Sequence, residues 1–201
     1  MGGAIRTEVR TLKREPRPFH QHGAPHFPPI LPSVITALLA LVALKAEWPG
    51  FRINEVAMAF KMPSKPDIKK ALFKQAPATF CTSDSQVGRF VAGYVKFPES
   101  AVPTMLSEIQ DAPGSPQVKS VLDATIAEFA KGTKSKIVDP QFGQDRGLPA
   151  EFATLEGPKA TMRVRVYLGS RATYVFIAIS DVADANHYFD SVKLTPEVPK
   201  R

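Results

Sequence analysis

With 201 residues, a formal charge of +7, one cysteine and four histidines, the chain is long enough for one domain with a self-sufficient hydrophobic core, and it lacks the second cysteine an intrachain disulfide needs. The charge is unevenly placed: residues 1–46 hold six basic and two acidic side chains, which accounts for +4 and leaves only +3 for the body that follows. That small excess disfavours nucleic acid as a partner. With His20, His22 and His26 also in the leading segment, the body keeps His187 as its one imidazole.

In chain order, residues 1–29 are basic, rich in proline and without apolar periodicity, so they are expected to stay unfolded. Residues 30–44 form an apolar run broken only by Pro32, Ser33 and Thr36. That is short of the roughly 20 residues of a membrane span and matches the roughly 7–15 of a secretory signal. The expected division is therefore a basic leader with signal peptide or N-terminal anchor over 1–46, then one domain over 47–201. Cleavage after Ala43 or Ala46 would have a leucine, not a small residue, three places before the cut. An uncleaved anchor stays open, and only then is a membrane a partner. No cysteine follows the run closely and no Arg-Arg pair precedes it, which argues against lipoprotein and twin-arginine export.

In the body, residues 53–62 alternate so that Val56, Met58, Phe60 and Met62 share a face, and Pro63 ends this opening strand. Residues 69–75 and 79–83 are weaker strands, and residues 89–97 a stronger one closed by Pro98. Val102, Met105, Leu106 and Ile109 mark a short helix. Ser115-Pro116 supplies an N-cap and first helical residue for a longer one, with a stripe of Val118, Val121, Leu122, Thr125 and Phe129 that ends at Gly132. Residues 134–138 and 151–155 read as short strands around a loop of glycine, proline and aspartate.

The C-terminal end carries the clearest pattern. Over residues 161–168, Met162, Val164, Val166 and Leu168 alternate with Thr161, Arg163, Arg165 and Tyr167, the period of a half-buried strand. Gly169-Ser170 is expected to turn the chain into a nearly all-apolar strand over 173–179. Ser180 or Asp181 then starts a helix with Ala185, Tyr188, Phe189 and Val192 on its apolar side. The expected fold class is α+β, an antiparallel β-sheet with helices packed on it.

Several of these stretches resemble a group of exported bacterial domains with Mog1/PsbP-like architecture. The resemblance rests on Met62-Pro63 with Lys65-Pro66 behind it, the run from Tyr94 to Pro98, and the central helix up to Gly132. It is completed by Gly147-Leu148-Pro149-Ala150-Glu151-Phe152 and by the ending from Asp184 to Leu194. It implies an α/β/α sandwich in an extracytoplasmic setting, in the periplasm or cell envelope. It carries over no active site, because such domains serve as binding and assembly factors with differing partners.

No catalytic elbow, zinc motif, Cys-x-x-Cys pair, phosphate loop or dinucleotide fingerprint is present, so no catalytic, cofactor or metal residue is assigned. Cys81 reads as a small buried hydrophobe or as a thiol that pairs between chains. Asp181 and Asp184 suit the first turn of a helix, and with Asp190 they match no EF-hand spacing. With Gly169-Ser170 as the turn, Arg165 should lie opposite Tyr174 and Arg163 opposite Phe176, on one face with Tyr167. Arg163, Arg165, Tyr167 and Tyr174 are thus the candidate partner-binding residues, for an envelope protein or a small anionic ligand. The competing reading is that a helix covers the aromatic part and the arginines stack at its rim. Three functions follow: an exported non-enzymatic binding or assembly protein, a membrane-tethered accessory factor, or an enzyme built on Asp139, Asp145 and Glu151 around the loop.

Overall fold

A computed structural model describes residues 47–195; the leader and its apolar run lie outside them. The chain opens with β1 (Gly50–Ile53) and β2 (Met58–Lys61), then runs through β3 (Asp67–Phe73), β4 (Ala76–Ser85) and β5 (Gly88–Lys96). Two helices follow, α1 (Val102–Asp111) and α2 (Pro116–Thr133), then β6 (Lys136–Asp145), β7 (Leu148–Glu156), β8 (Thr161–Leu168) and β9 (Ala172–Ser180). The closing helix α3 (Val182–Ser191) leads into a two-residue strand, β10 (Lys193–Leu194). All strand pairs are antiparallel. Seven strands form one sheet in the order β3-β4-β5-β9-β8-β7-β6, and β1-β2-β10 form a second. This is the expected α+β domain.

The centre of the large sheet is buried on both sides, as the apolar run of β9 requires. On one side α2 lays Val118, Leu122, Ile126 and Ala130 against Leu155, Val164, Val166, Val175 and Ile177. On the other, the small sheet and α3 cover an aromatic layer of Phe60, Phe90, Phe176, Tyr167 and Tyr188. Ser115 caps α2 by accepting a hydrogen bond from the Val118 N–H at 3.2 Å. Asp181 caps α3 in the same way, accepting from the Asp184 N–H at 2.8 Å.

Two expectations are corrected here. Residues 53–62 are a hairpin, not one strand: Ile53 pairs with Met58 across a single helical turn, and Ala57 adopts φ 50°. The alternation of Val56, Met58, Phe60 and Met62 survives the turn because all four still reach the core. Second, the loop expected around residues 139–150 is two long strands. Pro140 is accommodated at a bulge between Val138 and Gln141 on an edge strand, where no ladder hydrogen bond is required of it.

Two of the tight turns place consecutive residues at positive φ, the geometry that matches strand twist. Arg146 (φ 56°) and Gly147 (φ 75°) join β6 to β7, whereas Lys74 (φ 47°) and Gln75 (φ 69°) join β3 to β4 without a glycine. Replacing Gln75 by glycine should therefore raise unfolding stability by about 1 kcal/mol, measured by urea denaturation. The Arg146 turn does more than reverse the chain. Its guanidinium donates to the carbonyls of Val192 at 2.7 Å and Phe189 at 2.9 Å, tying down the C-terminal end of α3. Arg146→Ala should cost about 2–3 kcal/mol, and hydrogen exchange in α3 should accelerate before that of β8 and β9.

Candidate functional site

The outward alternation of β8 carries Thr161, Arg163, Arg165 and Tyr167 to the side covered by the small sheet and α3, as anticipated. The register differs. Arg165 pairs with Phe176, Tyr167 with Tyr174 and Arg163 with Ala178. The hairpin turns at Ser170-Arg171, one residue later than expected, because the Gly169 N–H still bonds the Ala172 carbonyl at 2.9 Å. A turn displaced by one residue shifts the register by two, so every side chain keeps its face. Gly169 is required for closeness: a Cβ there would lie 2.7 Å from the Tyr174 ring.

The four candidate residues separate into two pairs. Tyr167 is completely buried, and its hydroxyl donates to Asp145 Oδ2 at 2.8 Å; burial chiefly raises its phenol pKa. Tyr174 is buried too, and its hydroxyl donates to the Val56 carbonyl at 3.0 Å. Neither tyrosine lines an open surface. They are covered because the small sheet packs over that half of the hairpin, and of the four candidates only the arginines remain partly exposed.

Arg163 and Arg165 lie on an open groove of about 400 Å³ with Asp139, Gln141, Thr154 and Asn186. The Arg165 guanidinium is held between two rings, 4.5 Å from the centre of Phe189 on α3 and 5.1 Å from that of Phe152 on β7. It has no carboxylate partner among the described residues. Stacking fixes the guanidinium plane and leaves its in-plane N–H donors free. Arg163 donates one hydrogen bond, from Nη1 to the Ser180 carbonyl at 3.0 Å. Asp139 sits at the bulge with φ 52° and accepts from the Gln141 amide at 3.0 Å. The groove thus offers several donors, with Asp139 as its one carboxylate and Thr154 as its one hydroxyl. His187 is elsewhere, edge-on to Trp48 at 4.7 Å.

No family model and no curated protein matches the sequence. The fold is similar to a solved structure. That structure is the solution structure of cyanobacterial PsbP (CyanoP) from Synechocystis sp. PCC 6803, with a TM-score of 0.45 and 8% identity over 75% of this chain and 94% of that one. The fold class stands on the strand order and register given above, and the site on its own geometry.

The carboxylates of the enzyme reading do not converge. Asp139 lines the groove, Asp145 holds Tyr167, and Glu151 faces the opposite side of the sheet with Ala153 and Leu155, because the expected loop is a hairpin. Among the described residues no three histidine, cysteine, aspartate or glutamate side chains gather as a metal site. Cys81 is buried, and burial pushes its thiol up, away from reactivity.

Glu151 is the titrating group that sequence reasoning placed wrongly. It is 2% exposed, its Oε2 meets no hydrogen-bond partner, and its carboxyl is pushed from 4.5 up to about 7. Burial is the largest cause; the Asp123 carboxyl on α2 adds to it, and Lys119 opposes it. The folded protein therefore holds a proton between pH 4.5 and about 7 that the unfolded chain releases. The stabilisation is complete below about 4.5 and is lost as pH rises through 7. Glu151→Gln should abolish this decline and raise stability at pH 8 by about 1–3 kcal/mol, read from urea denaturation at pH 5 and pH 8. An unchanged pH slope would mean that Glu151 titrates normally.

Proposed function

We propose that this protein is an exported, non-enzymatic binding or assembly protein of the cell envelope, and that its groove receives an anionic group. The observation that carries the reading is Arg165, a guanidinium stacked on Phe152 and Phe189 that forms no ion pair with a carboxylate among the described residues. An arginine clamped in this way loses little conformational freedom on meeting a carboxylate or phosphate, and two such hydrogen bonds are directional. Arg163, Gln141 and Asn186 lie along the same groove and would add donors. Export rests on the basic leader and the apolar run over residues 30–44. If that run is retained, the same groove belongs to a membrane-tethered accessory factor; a carbonate wash of the membrane fraction separates the two.

The test uses the full chain and its Arg163→Ala/Arg165→Ala variant. Each ring stacked on Arg165 contributes about 0.5–1 kcal/mol, so the double variant should stay folded with a modestly lower melting temperature. Citrate, succinate and inorganic phosphate are titrated against both proteins by thermal shift, alongside capture from the native envelope fraction. Binding by the native chain and a loss of roughly 10–100-fold in the folded variant are expected. Arg165→Lys, which keeps the charge but loses the planar fork, should bind nearly as weakly as the alanine variant. Equal responses from the native chain and the double variant would refute the groove as the site.

A further inference from the structure

We propose that β3 is a second, independent interaction surface: an open sheet edge that takes up an extended acidic segment of a partner protein as an added strand. The two edges of the seven-stranded sheet are built differently. At β6 the ladder is interrupted by a bulge, with Asp139 at positive φ and Pro140 next to it, features that stop further pairing. At β3 the pairing with β4 runs unbroken from Asp67 to Phe73, and no proline or bulge closes the free side. Its first six residues are exposed.

The side chains on this edge specify what could add to it. Ile68 is 62% exposed and Leu72 76% exposed, and Lys70 lies between them on the same face. Lys69 points to the other face, close to Asp67 at 3.2 Å. Lys65 and Lys74 flank the strand; Lys74 is paired with Glu128, whereas Lys65 and Lys70 make no ion pair among the described residues. A neighbouring strand would therefore meet apolar, basic, basic, open and apolar positions in turn from Ile68 to Leu72. The matching segment carries apolar residues at the ends of such a run and carboxylates opposite Lys69 and Lys70. The same lysines work against a second copy of this chain. Antiparallel pairing of two β3 strands along their length sets Lys70 directly against Lys70, with Lys69 of each copy opposite Ala71 and diagonal to Lys70, and like charges directly opposite are unfavourable. The edge is thus closed to itself and open to an acidic strand.

The experiment mixes the full chain with an eight-residue peptide containing the run valine-threonine-glutamate-glutamate-valine, whose glutamates face Lys70 and Lys69 in antiparallel addition, or with its counterpart bearing lysine for glutamate. Hydrogen exchange read by mass spectrometry should show the acidic peptide slowing exchange within residues 67–73 and the basic one without effect. Lys69→Glu/Lys70→Glu, both on the surface, should weaken the acidic peptide roughly tenfold and admit the basic one. Ile68→Thr/Leu72→Thr, which retains strand propensity, should also weaken binding. Protection that appears at the Arg163–Arg165 groove instead, equal binding of both peptides, or self-association of the chain alone through β3 would each overturn the proposal.

Discussion

The structure depends on the burial of Tyr188. Its ring is completely enclosed, 5.2 Å from Phe90 and 6.2 Å from Phe176 between centres, while its hydroxyl donates to the Val91 carbonyl at 2.6 Å. A phenol in such a place must find an acceptor, and the one available lies on a strand of the large sheet. The helix that carries Tyr188 is thereby held at a set height and rotation over β5 and β9. Burial raises the phenol pKa well above its ordinary value, which keeps the hydroxyl protonated as the donor this anchor needs.

The geometry of the groove follows from that anchor. Phe189 adjoins Tyr188, and Asn186 lies one helical turn from it toward the solvent side, so positioning α3 also positions one ring of the Arg165 clamp and one polar wall. The other ring, Phe152, comes from β7, which pairs with β8 directly opposite Arg165. The site is therefore made by rigid elements that meet for reasons of core packing. A helix displaced by the loss of Tyr188 would release the guanidinium even with both arginines intact.

How much of this could be read from the residues depended on whether local signals survived tertiary packing. The alternation along β8 predicted the faces of Arg163 and Arg165 correctly, because one face must be apolar wherever α2 lies. The turn was misplaced by one residue: Gly169 reads as a positive-φ signal, yet its small size serves the approach of the Tyr174 ring. The alternative in which the aromatic part is covered and the arginines stack at its rim matches the burial of the two tyrosines. The residues did not show that the cover includes the small sheet, which is assembled from both ends of the body. The hairpin at Ala57 was hidden because the positive-φ position of that turn is held by an alanine, with neither glycine nor proline near it, and the apolar alternation continues through it. Pro140, Gly143 and Gly147 suggested a loop, where an edge strand tolerates the first two and the third belongs to the tight turn that follows it. Glu151 was misplaced because the strand was expected to begin there, at the edge of a loop, whereas β7 begins at Leu148 and alternation with Ala153 and Leu155 carries the carboxyl to the side under α2.

The small sheet has a kinetic consequence. Its central strand β2 is paired on one side with its immediate neighbour and on the other with β10, where Met58 meets Leu194 and Ala59 meets Lys193. The last residues of the body thus complete a layer begun by its first ones. During synthesis, β1 and β2 wait until nearly the whole chain has been made before that layer can close. Closure over so long a loop is slow relative to helix or hairpin formation. Until then the aromatic layer of the large sheet lacks its cover, so an incompletely folded body with exposed apolar surface persists for a long interval.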